Sequence, residues 1–183
     1  MEDNAKKKKS GLTIREICIF AMLGALMFAL KKAMEGIPNI HFNAVLIVVY
    51  TIVYRRKALY PIYIYVFLDG VTQGFSQFWV PYLYLWTLLW AAVMLLPKKM
   101  PLWVSVIVYG VVCSLHGFLF GTLWAPYQAL TYHYNLKQTL AWIATGFPFD
   151  CIQGAGNLVS GLTLVVPLSK ALRLADRVSG REN

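Results

Sequence analysis

Polar side chains are scarce inside the apolar runs of this chain, and those present recur at helical spacing. Asp69, Gln73 and Gln77 are four residues apart, which lines them along one face of a helix. A carboxylate at the centre of a bilayer costs ~2.5–3.5 kcal/mol on insertion scales, so Asp69 is expected to face a bundle interior or an aqueous cavity. There it serves either as a ligand contact or in a hydrogen-bond network between helices. A second set, Asp150, Gln153 and Asn157, is spaced i, i+3, i+7 and again shares a face. Asp150 follows Pro148, and a carboxylate in a first helical turn caps free N–H groups and meets the positive end of the dipole. Gln153 and Asn157 lie deeper and need partners, because an unpaired amide in hydrocarbon is costly.

Aromatic residues form the third pattern. Trp79, Tyr82, Trp86 and Trp90 follow i, i+3, i+7, i+11, with Tyr84 on another face. An interfacial belt stays near one membrane surface and accounts for Trp79 and Tyr82. Trp86 and Trp90 run deeper, as helix packing or as the wall of a pocket for a flat ligand. Asn39, His41, Phe42 and Asn43 follow the first apolar run, and Trp124, Tyr127, Tyr132, His133 and Tyr134 fall in a later connection. Such side chains bind by stacking and neutral hydrogen bonds, or else anchor loops at an interface. Ala21, Ala25 and Ala29 make a stripe of small residues beside Gly24. That stripe permits close approach of another helix, inside the bundle or from a partner.

Several chemistries are missing their motifs. No GxxxxGK[ST] loop is present, so ATP hydrolysis by that route is excluded, and no HExxH appears. Ser114 and His116 are two residues apart and point to different helix faces. Cys151 has no base adjacent in sequence, and Cys18, Cys113 and Cys151 form no CxxC pair. An intramembrane enzyme would have to use Asp69, His116 or Cys151, and a small membrane scaffold would bind proteins through its aromatic loops.

The elements that position these residues follow from composition. Of 183 residues, 58% are hydrophobic and 14% charged, with mean hydropathy +0.57. A soluble domain is typically ~45–50% apolar and ~25% charged, so a bilayer is the expected solvent. Six spans are expected, at 13–33, 39–54, 58–77, 80–97, 102–123 and 148–172, the second of them short. The first is a retained helix, because Lys31 and Lys32 stand where a signal peptide would carry small residues. The 124–147 connection carries a short amphipathic helix around Leu136–Ile143. The apolar runs are continuous, which excludes a beta-barrel. With the N-terminus inside, 14 of the 17 basic residues fall on the inner side, leaving Lys31, Lys32 and Lys137 outside. This bias places both termini in the cytoplasm and accounts for the net charge of +9 without nucleic acid. The expected organisation is a basic tail over 1–12, one six-helix membrane domain over 13–174, and a cytoplasmic tail over 175–183.

Together these features resemble an S-component, the substrate-capture subunit of energy-coupling factor vitamin transporters. The resemblance rests on six helices with both ends inside, the Ala21-xxx-Ala25 motif, and a last helix running from Pro148-Phe149-Asp150 to Asn157, then Pro167-Leu168 and the basic stretch Lys170–Arg177. Gln153 departs from it, since several relatives have His there. The resemblance implies a transport subunit, not an enzyme, that needs no cofactor or resident metal. It would capture a micronutrient from outside and dock through Ala21, Ala25 and Ala29 on a transmembrane coupling protein driven by two cytoplasmic ATPases. Substrate contacts would come from Asn39, His41, Asn43, Asp69, Gln73, Trp79, Tyr82, Trp86, Tyr132, His133, Asp150, Gln153 and Asn157. The segments Pro38–Asn43 and Pro81–Trp86 look most like the cobalamin-associated branch of lactic acid bacteria. Riboflavin, pantothenate, pyridoxine-type and queuosine-precursor substrates remain open.

Overall fold

The computed structural model describes residues 11–37 and 39–181, so Lys6–Lys9 of the basic tail and Pro38 lie outside it. Among the described residues every regular element is helical. The order is α1 (Ile14–Ala33), α2 (Asn43–Tyr54), a 3-10 turn (Arg55–Ala58), α3 (Leu59–Gln73), α4 (Tyr82–Leu95), α5 (Leu102–Phe118), α6 (Phe120–Tyr132) and α7 (Leu136–Arg181). Two stretches, Leu102–Tyr132 and Leu136–Val178, are long and apolar enough to cross a membrane.

α1 starts on a reciprocal cap. The Thr13 hydroxyl accepts from the Glu16 backbone N–H, and the Glu16 carboxylate accepts from the Thr13 N–H. That satisfies two of the free donors at the helix start. α2 is apolar all round, and Asn43–Thr51 is buried without a gap. A helix with this profile belongs at the centre of a bundle. Its 12 residues reach only ~18 Å at 1.5 Å each, short of a ~30 Å hydrocarbon core. Arg55 ends it by taking φ 55°, ψ −117°. α3 ends at Gly74, whose φ of +86° suits glycine.

Two expectations change at the C-terminal half. The fifth run breaks at Leu119 into α5 and α6, and the 124–132 stretch is helical rather than a loop. The expected short helix near Leu136–Ile143 and the sixth span are one helix of 46 residues, which also takes in 175–181 of the expected tail. α7 opens on a reciprocal cap of its own. Asn135 Oδ1 accepts from the Gln138 N–H, and Gln138 Oε1 accepts from the Asn135 N–H. Pro148 and Pro167 lie inside this helix, so neither begins nor ends it.

α5, α6 and α7 meet along an antiparallel seam of small residues. A Cβ on Gly110 would fall 2.6 Å from Leu162, one on Gly117 2.8 Å from the Gly154 Cα, and one on Gly161 2.9 Å from the Gly110 Cα. Such contact leaves no room for a side chain. It lets backbones approach closely and gain dispersion contacts that lipid would not replace. Ser114 Oγ donates to the Gly154 carbonyl at 3.0 Å across the seam.

Seven basic residues gather at one end. Arg15 on α1 pairs with Asp176 on α7 at 2.9 Å, and Lys57 pairs with Glu16. Arg55, Lys98, Lys99, Lys170 and Arg173 line one cavity there. Large apolar side chains point outward elsewhere, including Leu95, Trp103, Leu130 and Val159.

Candidate functional site

Trp86 on α4 is the centre of an aromatic cluster and is 1% exposed. Ring centroids of His41, Tyr82, His116 and Phe120 lie 6.2, 5.8, 5.5 and 5.7 Å from it, and that of Tyr65 lies at 6.3 Å. Trp124 closes the group, 5.7 Å from Tyr82 and 5.8 Å from Phe120. The α1–α2 connection and helices α3 to α6 thus each supply at least one ring.

This cluster carries polar atoms without partners. His41 Nδ1, Trp86 Nε1 and His116 Nδ1 are buried with no hydrogen bond. So is Asn43 Oδ1, although its Nδ2 donates to the Tyr65 hydroxyl at 2.8 Å. Gln153 Nε2 is a further orphan, on the turn of α7 that packs against Ser114 and Gly117. An unsatisfied buried polar group costs about 1–3 kcal/mol. Native folds leave few such groups, so each needs an explanation. His116 is held in place through its other nitrogen, 3.1 Å from the Leu85 carbonyl.

Beside the cluster lies an ion pair. Lys31 Nζ, at the end of α1, sits 2.6 Å from Asp69 Oδ1 on α3, and the two side chains are 17% and 3% exposed. Gln73 Nε2 donates to the same oxygen at 2.8 Å. The ammonium lies 5.1 Å from the Tyr82 ring centroid and 5.9 Å from that of Tyr65, within range of cation–π attraction. Asp69 thus has a charge partner 38 positions away in sequence. That pairing removes much of the burial cost that its position raises.

The remaining expected site residues go elsewhere. Trp79 precedes α4, and its Nε1 donates to the Val66 carbonyl at 2.7 Å. Gln77 Nε2 donates to the Tyr132 hydroxyl at 2.6 Å, joining the third member of the Asp69 stripe to the end of α6. His133 terminates α6 at φ 54°, and Asn39 has φ 57° in the α1–α2 connection. Asp150 and Asn157 are used in the seam. Asn157 Nδ2 donates to the Cys113 carbonyl at 3.2 Å. Asp150 lies inside α7 and caps a different helix from the one expected. Its carboxylate accepts the Gly121 N–H at 3.0 and 3.2 Å, at the start of α6. A carboxylate there offsets free donors and the dipole where α5 breaks from α6.

Tyr65, His116 and Phe120 in the cluster, and Lys31 beside it, are not among the expected ligand contacts. His116 had one available signal, a lone imidazole in an apolar run. Lys31 was legible only as a basic residue on the outer side.

Ala21, Ala25 and Ala29 are all exposed, while neighbouring Gly24 is buried against Ile64 and Pro61 of α3. Within this chain, then, the glycine serves internal packing and the alanine stripe faces outward. Of the residues an enzyme would use, Asp69 bonds Lys31 and Gln73, and His116 contacts the Leu85 carbonyl. Among the described residues no group of three or more His, Cys, Asp or Glu is arranged to hold a metal ion.

No family model matches the chain, and no curated protein or solved structure does either.

Proposed function

We propose that this chain captures a micronutrient at the Trp86 cluster and delivers it inward as the substrate-binding subunit of an energy-coupling factor importer. The observation that carries this reading is the set of orphaned polar atoms around one buried tryptophan. His41, Asn43, Trp86 and His116 offer a mix of donors and acceptors, walled by aromatic rings and without a free charge. That chemistry suits a flat or multi-ring molecule recognised by stacking and neutral hydrogen bonds. Cobalamin is the best-fitting candidate by resemblance, and riboflavin, pantothenate, pyridoxine-type or queuosine-precursor ligands are the alternatives. The ligand parts the rings as it enters, because Trp86 is fully covered by its neighbours.

On this reading the bundle crosses the cytoplasmic membrane several times with its basic end inside. The clustering of Arg15, Arg55, Lys57, Lys98 and Arg173 at one end supports that orientation. The exposed Ala21–Ala25–Ala29 stripe is the face offered to the coupling protein. Energy comes from two ATPases on other chains, since this one lacks a phosphate-binding loop.

The test is mass spectrometry of small molecules released from the purified protein. A single micronutrient at near-stoichiometric amount, lost in Trp86→Ala and weakened in His116→Phe, is the expected result. Preparations that carry no ligand, and that none of the named vitamins stabilises against heat, would refute the proposal.

A further inference from the structure

At the basic end, a cavity of about 540 Å³ lies between the α2–α3 turn, the α4–α5 connection, α5 and α7. Five cations line it: Arg55, Lys98, Lys99, Lys170 and Arg173. Arg55 donates to the Met94 carbonyl at 3.0 Å and Arg173 to the Ile52 carbonyl at 3.5 Å, but among the described residues none of the five has an ion pair. Every described carboxylate is engaged elsewhere. Glu16 holds Lys57, Glu35 holds Lys32, Asp69 holds Lys31, Asp176 holds Arg15, and Asp150 accepts from Gly121. Like charges brought together from three segments repel one another unless an anion joins them.

A second observation points into the same cavity. Ser169 lines it, is 6% exposed, and its Oγ is buried without a hydrogen-bond partner. Ser105 adds another hydroxyl, already donating to the Pro101 carbonyl. The rest of the wall is apolar, with Ile52, Leu102 and Val166 beside the charges. A bare inorganic anion would leave that apolar surface uncovered, whereas an amphiphile would cover both.

We propose that this cavity binds the phosphate head of an anionic phospholipid, with Arg55, Lys98, Lys99, Lys170 and Arg173 around the phosphate, Ser169 donating to it, and the glycerol and upper acyl chain against Ile52, Leu102 and Val166. Basic pockets between membrane helices take anionic headgroups in this way. The site is separate from the Trp86 cluster and does not depend on the identity of the captured molecule.

The experiment uses the full chain in uncharged detergent, followed by thermal unfolding and native mass spectrometry. Phosphatidylglycerol is expected to raise the unfolding midpoint and to appear as a bound adduct, whereas phosphatidylcholine does neither. The triple variant Lys98→Gln, Lys99→Gln and Arg173→Gln alters only exposed side chains. It is expected to fold with an unchanged lipid-free midpoint and to lose apparent lipid affinity by roughly 100-fold, at about fivefold per cation. If it does not fold, Lys170→Gln alone carries the test with roughly a fivefold loss. Equal stabilisation by phosphatidylcholine, or an undiminished shift in the variants, overturns the proposal. Pyrophosphate alone producing the shift reassigns the cavity to a soluble anion. A polyglutamate peptide producing it where lipid does not reassigns the cavity to a protein partner. Either result overturns the lipid assignment while leaving micronutrient capture standing.

Discussion

Lys31 and Asp69 are the side chains on which the Tyr65–Tyr82 side of the cluster most depends. Asp69 is 3% exposed, and removing its cation leaves a buried carboxylate with only Gln73 as partner. Lys31→Met is expected to destabilise the fold by about 3–5 kcal/mol, and the double variant Lys31→Met/Asp69→Leu to recover most of that loss. Thermal unfolding of the three proteins in one detergent checks it, and additive losses would contradict the pairing. Gln153 behaves in the opposite way. Its Nε2 is buried without a partner, so Gln153→Met is expected to stabilise the empty protein by about 1 kcal/mol while weakening ligand retention. Unfolding midpoints measured with and without ligand separate the two effects. At this scale the sequence is partly legible. Asp69 and Gln73 read as a pair because they lie one helical turn apart. Lys31 does not, since its approach depends on how α1 lies against α3. His116 stands two residues from Ser114 in sequence, yet its ring meets Trp86 and Phe120, which come from other helices.

Among the elements, the contact of α5 and α6 with α7 is the most demanding. Gly117→Ala would push a methyl to 2.8 Å from the Gly154 backbone, where no flexible side chain can yield. A loss of about 1–3 kcal/mol is expected from such overpacking. Gly146→Ala on the same helix α7 meets nothing within 4 Å and should gain about 0.5–1 kcal/mol from helix propensity. Comparing the two unfolding midpoints tests whether the glycines serve packing, and equal effects would refute that role. The boundaries of α6 and α7 were the least legible part of the fold. The aromatic and polar residues of 124–147, with Pro126 among them, read as a connection. The Asn135-x-x-Gln138 cap was nonetheless visible in the sequence as a helix start. The position of Asp150 just after Pro148 suggests a cap on its own helix. Its real partner, the Gly121 N–H, becomes available only because the chain breaks at Leu119, a tertiary event that local composition does not announce.

The faces of the whole molecule differ in chemistry. α2 is shielded by its neighbours, α1 turns its alanines outward, and the basic end carries the cation-lined cavity. If docking uses the α1 face, Ala25→Trp leaves ligand binding and the unfolding midpoint unchanged but abolishes co-purification with a coupling protein and its ATPases. Retained complex would contradict that use of the face. Two of the three basic residues expected on the outer side, Lys31 and Lys32, are paired with Asp69 and Glu35. The length of α7 has a mechanical consequence. At ~1.5 Å per residue its 46 residues make a rod of ~69 Å, more than twice a ~30 Å hydrocarbon core. The seam grips it from Asp150 to Leu162, between Pro148 and Pro167. A proline leaves one carbonyl unbonded and is a usual site of bending. Flexure is thereby assigned to the joint at Pro148, because past Pro167 the helix is tied down by the Arg15–Asp176 pair and by Arg173 on the Ile52 carbonyl. The stretch from Leu136 to Phe149 has no buried residue and can swing about that joint without loosening the grip, so what happens at that face need not be transmitted through the rod to the basic end.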